Sequence, residues 1–172
     1  MGRRIQFTRE NELKKQMAKA IDTAVQYILN ELLKENKDLI QQIVYDAYSP
    51  VVYERTNEFK NDAWDVSTKK DNAGPNVKGE FEYYPKGMKT VDSVTGQHAS
   101  VLTGKDMRDY LADIIYQGVT DSLFGDGPWT QPRNAFAELD KWMDSRKLRK
   151  LMETGMRKAG LSYEFHKFPT KR

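Results

Sequence analysis

The chain has 172 residues, of which 38% are hydrophobic and 31% charged, and its formal net charge is +3. This length accommodates one domain with a real core, or one domain and an extended arm. The chain contains no cysteine and two histidines, which excludes disulfides, thiol catalysis and cysteine-ligated zinc and argues against histidine-rich metal sites.

The charges are distributed unevenly along the chain. Residues 1–20 hold six Lys and Arg against two Glu, residues 141–172 hold ten against three acids, and residues 21–140 hold twelve against twenty. Basic ends around an acidic middle indicate contact with nucleic acid or head-to-tail contact between copies, although solvated helix faces give the same pattern. No apolar run approaches the ~20 residues that span a bilayer, and the opening residues lack the apolar core of a signal peptide. We therefore expect no membrane contact.

The first predicted element is a long helix. From Asn11 to Ala47 hydrophobic residues recur at steps of three or four, which is the helical period, and Thr8 lies where an N-cap is expected. The polar run KENK at 34–37 leaves open whether this is one helix with a polar turn or two helices. We expect the second half to pack on the domain and the first half to be partly free for a partner; burial of the whole stripe in a core is the alternative.

A proline-centred hinge, SPVVYERTNEF, follows the helix at residues 49–59. Pro50 lacks an amide hydrogen and disfavours the helical conformation of the residue before it, so the helix is predicted to stop there. Residues 63–101 then predict three to four short antiparallel strands, in AWDVSTK, VKGEFEYY and MKTVDSVTGQHASVL, joined by turns rich in Gly, Pro and Asn.

Two further helices are predicted after the strands. One spans residues 105–117, with Asp106 as its cap and Gly118 near its end, and the other runs from about residue 133 to 159 and stops at Gly160. The apolar face of the closing helix comprises Phe136, Leu139, Trp142, Met143, Leu148, Leu151, Met152 and Met156. The basic residues that flank it, which are the candidate subunit contacts, are Arg146, Lys147, Lys150 and Arg157.

No motif in the sequence predicts an enzyme. The segment TGQHASVLTGKD (95–106) resembles a phosphate-binding loop, but seven residues rather than four separate its glycines, and Asp rather than Ser or Thr follows its lysine. The acidic pairs Asp62 with Asp65 and Asp140 with Asp144 could bind Mg²⁺, yet such pairs are common on ordinary helix and strand faces. We therefore expect no catalytic residue, no cofactor and no metal.

The order of these elements resembles that of the minor tail components of long-tailed bacteriophages, also called tail-completion or head–tail joining proteins. In that family a helix is followed by a Pro and then by a Thr-Gly-x-Leu-like turn, where the chain enters the sheet. Here Pro50, Arg55, Thr56 and Phe59 fit those places. Asn57 stands where Gly is usual, a mild departure because Asn also tolerates the left-handed conformation.

Two later segments carry the same resemblance, which covers roughly residues 10–160. The family has a Tyr-rich helix that ends near a Gly, matched by DYLADIIYQG at 109–118, and a Pro/Arg-containing loop before its closing helix, matched by WTQPRNAF at 129–136. The resemblance implies a structural protein whose copies form a ring at the virion neck, between the portal-side adaptor and the tail tube or tail terminator. It implies no catalysis, and the hinge would redirect the chain from a projecting helix into the ring-forming sheet.

Together these observations predict an α+β protein with an N-terminal helical arm (1–47), a core domain (48–160) and a C-terminal tail (161–172). The core is expected to hold a small antiparallel sheet and two further helices packed on it. The expected function is that of a phage neck protein, assembled in the host cytoplasm, whose partners are other copies of itself, the adaptor and the tail proteins. A small nucleic-acid-binding protein with basic ends is the alternative, and a small enzyme with an acidic metal site is a third possibility.

Overall fold

A computed structural model describes the fold of five stretches of the chain, residues 2–47, 56–71, 74–89, 106–118 and 130–162. These residues form an α+β fold, as predicted. One long helix contacts both strands of an antiparallel sheet and both helices that close the described chain.

The N-terminal helix α1 runs without a break from Gly2 to Ile40. The KENK run does not interrupt it, because Lys and Glu are good helix formers and Asn36 takes a buried position one turn after Leu32 and one turn before Ile40. The helix begins earlier than the sequence predicted, so Thr8 lies inside it and is not its N-cap. Residues 2–10 contain no proline, so nothing in this stretch prevents the helix from starting before residue 11.

The two halves of α1 differ in burial. In the first, here called the free half (residues 10–20), every side chain from Glu10 to Met17 is exposed. In the second, the packed half (residues 21–40), the buried positions are Asp22, Ala24, Leu29, Leu32, Asn36 and Ile40. The expected packing of the second half is therefore confirmed, while the domain boundary at residue 47 stays a prediction.

Helix α1 continues into a π-helical turn, Gln41–Tyr45, in which the amide of Asp46 donates to the carbonyl of Gln41 over 2.8 Å. The Gln41 side chain donates to the Asp46 carboxylate at 2.7 Å and accepts from Lys60 Nζ at 2.8 Å. Lys60 belongs to the short helix α2 (Glu58–Asn61), so these bonds join the end of α1 to the chain beyond the hinge.

The sheet consists of β1 (Trp64–Lys70) and β2 (Val77–Tyr83), paired antiparallel with Trp64 opposite Tyr83. Alternate residues of both strands face α1. Gly79 permits the close approach, because a β-carbon there would lie 2.8 Å from Cγ1 of Val25 on the helix.

The described residues contain two strands, fewer than the three to four predicted. The segments AWDVSTK and VKGEFEYY are confirmed as β1 and β2. The segment for which further strands were predicted begins with Met88, which is buried but lies in no strand, and residues 90–105 lie outside the described part of the chain.

The helix after the hairpin is shorter than predicted. A 3₁₀ turn, Met107–Asp109, precedes α3, which spans Leu111–Gln117. Asp106 caps the turn by accepting from the amide of Arg108 at 3.0 Å. Gly118 ends α3 with φ of 74°, and a β-carbon there would lie 2.6 Å from the carbonyl oxygen of Thr130, so both backbone conformation and close approach require glycine.

The single closing helix predicted from the sequence is two helices, α4 (Ala135–Met143) and α5 (Arg146–Lys158). Ser145 between them has an extended backbone, and its hydroxyl accepts a hydrogen bond from the Lys147 amide at 3.1 Å, so it is the N-cap of a new helix. Hydrophobic residues keep their helical spacing across Ser145, so the spacing predicts one helix where the structure has two. Gly160 ends α5 as predicted, with φ of 71° and its amide bonded to the carbonyl of Arg157.

One member of the predicted apolar face does not lie on the buried side of the closing helices. Leu139 is fully buried, but Phe136 is 42% exposed. The buried side of α4 is centred on Ala135 and Leu139, and each residue step turns about 100° around a helix, which carries Phe136 away from that side. The remaining members of the predicted face are half-buried: Trp142, Met143, Leu148, Leu151, Met152 and Met156.

The core lies where the end of α1 meets the sheet, α3 and the start of α4. Its buried residues come from every one of these elements: Ile40, Val44, Phe59, Ala63, Trp64, Met88, Ile115 and Ala135.

Candidate functional site

The described residues give little support to either of two kinds of small-molecule site, a metal site and an anion-binding pocket. Within the five described stretches no group of three or more His, Asp or Glu is placed to hold a metal ion, so neither predicted acidic pair there belongs to such a group. A pocket of about 350 Å³ lies at the end of the hairpin and is lined by Lys69, Lys70, Asp71, Asn76, Val77 and Lys78. Its lysines already have acidic partners, since Lys70 pairs with Asp22 at 2.8 Å and the other two pair with Glu80. The pocket thus offers little uncompensated charge to an anion.

A surface rich in Lys and Arg lies on the exposed side of α5 and is here called the basic face. Arg146, Lys150 and Arg157 are spaced four and seven residues apart and so lie along one side of the helix, with Lys147 about 100° around from Arg146. All four are exposed. Among the described residues, none of the four forms an ion pair with a carboxylate.

The opposite side of α5 is fixed against α1. Gly155 is buried, and a β-carbon there would lie 3.1 Å from the carbonyl oxygen of Ala24, which is itself fully buried. Lys158 places its Nζ 3.9 Å from the centre of the Tyr27 ring, an attractive cation–π contact. Because α5 is held in this way on α1, the basic face points away from the packed half of α1.

The chemistry of the basic face is recognition of negative charge. Helix α5 carries six Lys and Arg and one acid, Glu153, which pairs with Arg149 at 3.3 Å. Single exposed ion pairs contribute little, so a partner must engage several of these cations together. The helix contains no aromatic residue on which a nucleic-acid base could stack, which favours an acidic protein surface over a single-stranded nucleic acid.

The hinge residues occupy a different place, beside the core. Pro50 and Arg55 lie outside the described residues. Asn57 adopts the left-handed conformation, with φ of 60° and ψ of 12°, and its carbonyl accepts from the amide of Asn61 at 3.0 Å. Thr56 Oγ1 accepts weakly from the amide of Glu58 at 3.5 Å. The turn thus starts α2 and directs Phe59 into the core.

An aromatic cluster surrounds Phe59. The ring centre of Phe59 lies 5.9 Å from that of Trp64 and 6.1 Å from those of Tyr83 and Tyr116. The indole Nε1 of Trp64 donates to the carbonyl of Phe59 over 2.9 Å. Burial raises the pKa of both Tyr83 and Tyr116 above the ordinary value of 10.0, so both hydroxyls are neutral at any physiological pH. The hinge therefore serves packing, and the structure brings none of its described residues to the basic face.

Two sets of side-chain hydrogen bonds and ion pairs that join separate segments of the chain were not predicted from the sequence. The Arg108 guanidinium binds Asp106 and also donates to the carbonyl of Met88 at 3.0 Å, which ties together the chain on either side of residues 90–105. Asp22, buried on α1, accepts from the Thr68 hydroxyl at 2.7 Å and pairs with Lys70, which fixes the helix to β1. An acid within an apolar helical stripe is the only sequence signal that pointed to Asp22.

The described residues thus form a small α+β protein with a packed aromatic core and an exposed basic helix face. None of its described helices is both long enough and apolar enough to cross a membrane. The YomN family model matches residues 9–158, so the chain belongs to the YomN family. This family is phage-derived, of a Bacillus-prophage type, which indicates a phage origin for the chain. No curated protein and no solved structure matches the chain significantly.

Proposed function

We propose that this chain is a structural protein of a bacteriophage neck, where its copies form a ring that joins the portal-side adaptor to the tail tube or tail terminator. The exposed basic face carries the proposal, because it is a charged surface on a helix whose other side is firmly packed. Membership of a phage-derived family and the order of elements, which resembles that of tail-completion proteins, support it.

A ring requires two different surfaces on each copy. The basic face would meet the acidic middle of a neighbour, where residues 21–140 hold twenty acids against twelve bases. Such a contact is heterologous and closes into a ring if the rotation per subunit permits. Because exposed charge pairs are weak and screened by salt, we expect a monomer or weak oligomer in solution and an ordered ring only within the particle.

Deleting the gene in a phage that carries it tests the function directly. We expect DNA-filled heads and finished tails that fail to join, with joining restored by the wild-type protein supplied in trans. Imaging of wild-type particles should place the protein at the neck. Normal particles without the protein, or a purified protein that forms a tight closed dimer and is absent from virions, would refute the proposal.

The double variant Arg146→Glu with Lys150→Glu tests the basic face itself. We expect it to keep the wild-type melting temperature and to fail to restore joining. The matched control is Lys86→Glu with Lys89→Glu, which reverses two other exposed charges and should restore joining fully. Normal joining by the first variant would remove the basic face from the assembly contact.

The same face favours one second function, binding of a nucleic-acid backbone. In that case the Arg146→Glu and Lys150→Glu changes would abolish retention of the protein on a DNA column and leave assembly intact. The affinity of the wild-type protein for duplex DNA would also fall steeply with salt, as expected when several phosphates are contacted.

A further inference from the structure

We infer that the free half of α1 in one copy docks on the outer side of α4 in the next copy. The inference rests on the proposed assembly of copies and adds to it the identity of two further contact surfaces. It is carried by the exposed hydrophobic side chains, by the charges beside them and by their positions at opposite ends of α1.

The first surface is a hydrophobic line on the free half. Leu13 is 57% exposed and Met17, one turn later, is 40% exposed. The line continues at helical spacing through Ala20 to Ala24, where Gly155 of α5 packs. The stripe is thus buried at Ala24. Toward the N-terminus no described residue covers Leu13 or Met17, and both are exposed.

The second surface lies on α4. Phe136 is 42% exposed, and Asp140, one turn later, is exposed beside it. Met143, seven residues after Phe136, is half-buried on the same side. Among the residues whose side-chain exposure the structure describes, which leaves out residues 2–9 and Met107, the large exposed hydrophobic residues are Leu13, Met17, Tyr84 and Phe136. The two surfaces account for three of these four.

The charges beside the two surfaces are complementary. The first twenty residues hold six Lys and Arg against two Glu. Lys14, about 100° around the helix from Leu13, pairs with Glu10 at 2.8 Å, whereas Lys15 and Lys19, further around, form no ion pair among the described residues. Asp140 on α4 and Asp144, the C-cap of α4, are four residues apart, and neither forms an ion pair within the described ranges. Like charges at this spacing destabilise a helix, and lysines from a neighbour would relieve the repulsion.

The two surfaces cannot meet within one copy. Arg133, just before α4, donates from Nη1 to the carbonyl of Val44 at 3.4 Å, which places the start of α4 at the far end of α1. Leu13 precedes Val44 by 31 residues, or about 45 Å along a helix axis. The contact is therefore head-to-tail between different copies, the kind that propagates into rings.

Directed disulfide formation tests this contact, because the natural chain has no cysteine. Met17→Cys protein is mixed with Phe136→Cys protein under mild oxidation, and the rate of mixed-dimer formation is measured. Docking raises the effective concentration of the two thiols, so we expect this rate to exceed that of either homodimer by about tenfold or more. A mixture of Met17→Cys with Lys86→Cys protein is the control for chance encounters.

The outcomes separate this contact from the proposed function. A mixed dimer that forms no faster than the control, or a dominant Met17→Cys homodimer, would overturn the head-to-tail contact. As a second variant, the thiol is moved to Gln16→Cys, and this protein is mixed with Phe136→Cys protein with and without Leu13→Glu and Met17→Glu on the Gln16→Cys copy. We expect the two Glu changes to lower the mixed-dimer rate to the control level and to leave the melting temperature of that copy unchanged, and an unchanged rate would overturn the contact. If cross-linking fails but the protein is found at virion necks, only this contact is wrong; if cross-linking succeeds but virions lack the protein, only the neck function is wrong.

Discussion

The two halves of α1 share one continuous helix but have opposite surroundings. The packed half lies against the sheet and the closing helices, with Ala24, Asn36 and Ile40 fully buried, whereas every side chain from Glu10 to Met17 is exposed. Helix propagation is favourable once a nucleus exists, so the packed half can support the free half. Helix formation and burial are therefore separate properties of α1, and the free half is available for contacts.

The largest expected effect concerns the core beneath the packed half. Phe59 belongs to the same buried cluster as Ile40 and Val44. Phe59→Ala should lower the free energy of unfolding by ~3–5 kcal/mol, because it leaves a cavity among aromatic rings. Chemical denaturation measures this loss, and Tyr84→Ala, at an exposed aromatic residue, is the control. An unchanged midpoint for Phe59→Ala would mean that the turn does not direct Phe59 into the core.

A matched pair of truncations compares the two halves directly. Ile40→Ala in the packed half should lower the free energy of unfolding by ~2–5 kcal/mol, since Ile40 is fully buried. Leu13→Ala in the free half should change it by no more than about 0.5 kcal/mol, as is usual for exposed positions. Equal losses at the two positions, measured by denaturant titration, would show that the free half is packed in solution.

A third change should strengthen the packed half. Both polar side-chain atoms of Asn36 are buried, and neither has a hydrogen-bond partner among the described residues. Asn36→Leu should raise the free energy of unfolding by about 1 kcal/mol, because it removes an amide that is desolvated and unpaired. Asn36→Asp is the control and should be strongly destabilising, since it buries a charge. A less stable Asn36→Leu protein would indicate that the amide gains partners in solution.

The smallest effect is a dependence of stability on pH. The hydrogen bonds from Lys70 and Thr68 hold the pKa of Asp22 below its ordinary value of 3.8. The folded protein therefore binds this proton less tightly than the unfolded chain does, so the stabilisation is present above pH 3.8 and is lost as pH falls through the lower folded pKa. Melting curves in acid should fall less steeply for Asp22→Asn than for the wild type, whereas Asp38→Asn, at an exposed position of the same helix, should retain the wild-type slope.

Features with a local cause were predicted well. The left-handed conformation of Asn57 and the stops at Gly118 and Gly160 depend on steric limits of a few neighbouring residues. The first two strands follow from alternation within seven residues each. For the same reason Arg146, Lys147, Lys150 and Arg157, which flank the predicted apolar stripe, are exposed, whereas their role as subunit contacts stays a prediction.

Features decided by distant contacts were not predicted. The division of the closing helix at Ser145 was hidden because the apolar spacing happens to continue across it. Phe136 belongs to the apolar face that the periodicity predicts and is nevertheless exposed. Periodicity gives the direction of an apolar stripe but not how much of it the neighbouring elements cover.

By itself the sequence determined that the chain is helical from about residue 11, that a hairpin follows, and that the segment before Gly160 is amphipathic and helical with a basic second half. These are consequences of propensity, period and turn chemistry, which act over a few residues. Only the tertiary structure decided that α1 is unbroken, that Asn36 is buried, and that Leu13, Met17 and Phe136 are left uncovered. Burial is decided by which elements of the chain come together, and no local pattern contains that information.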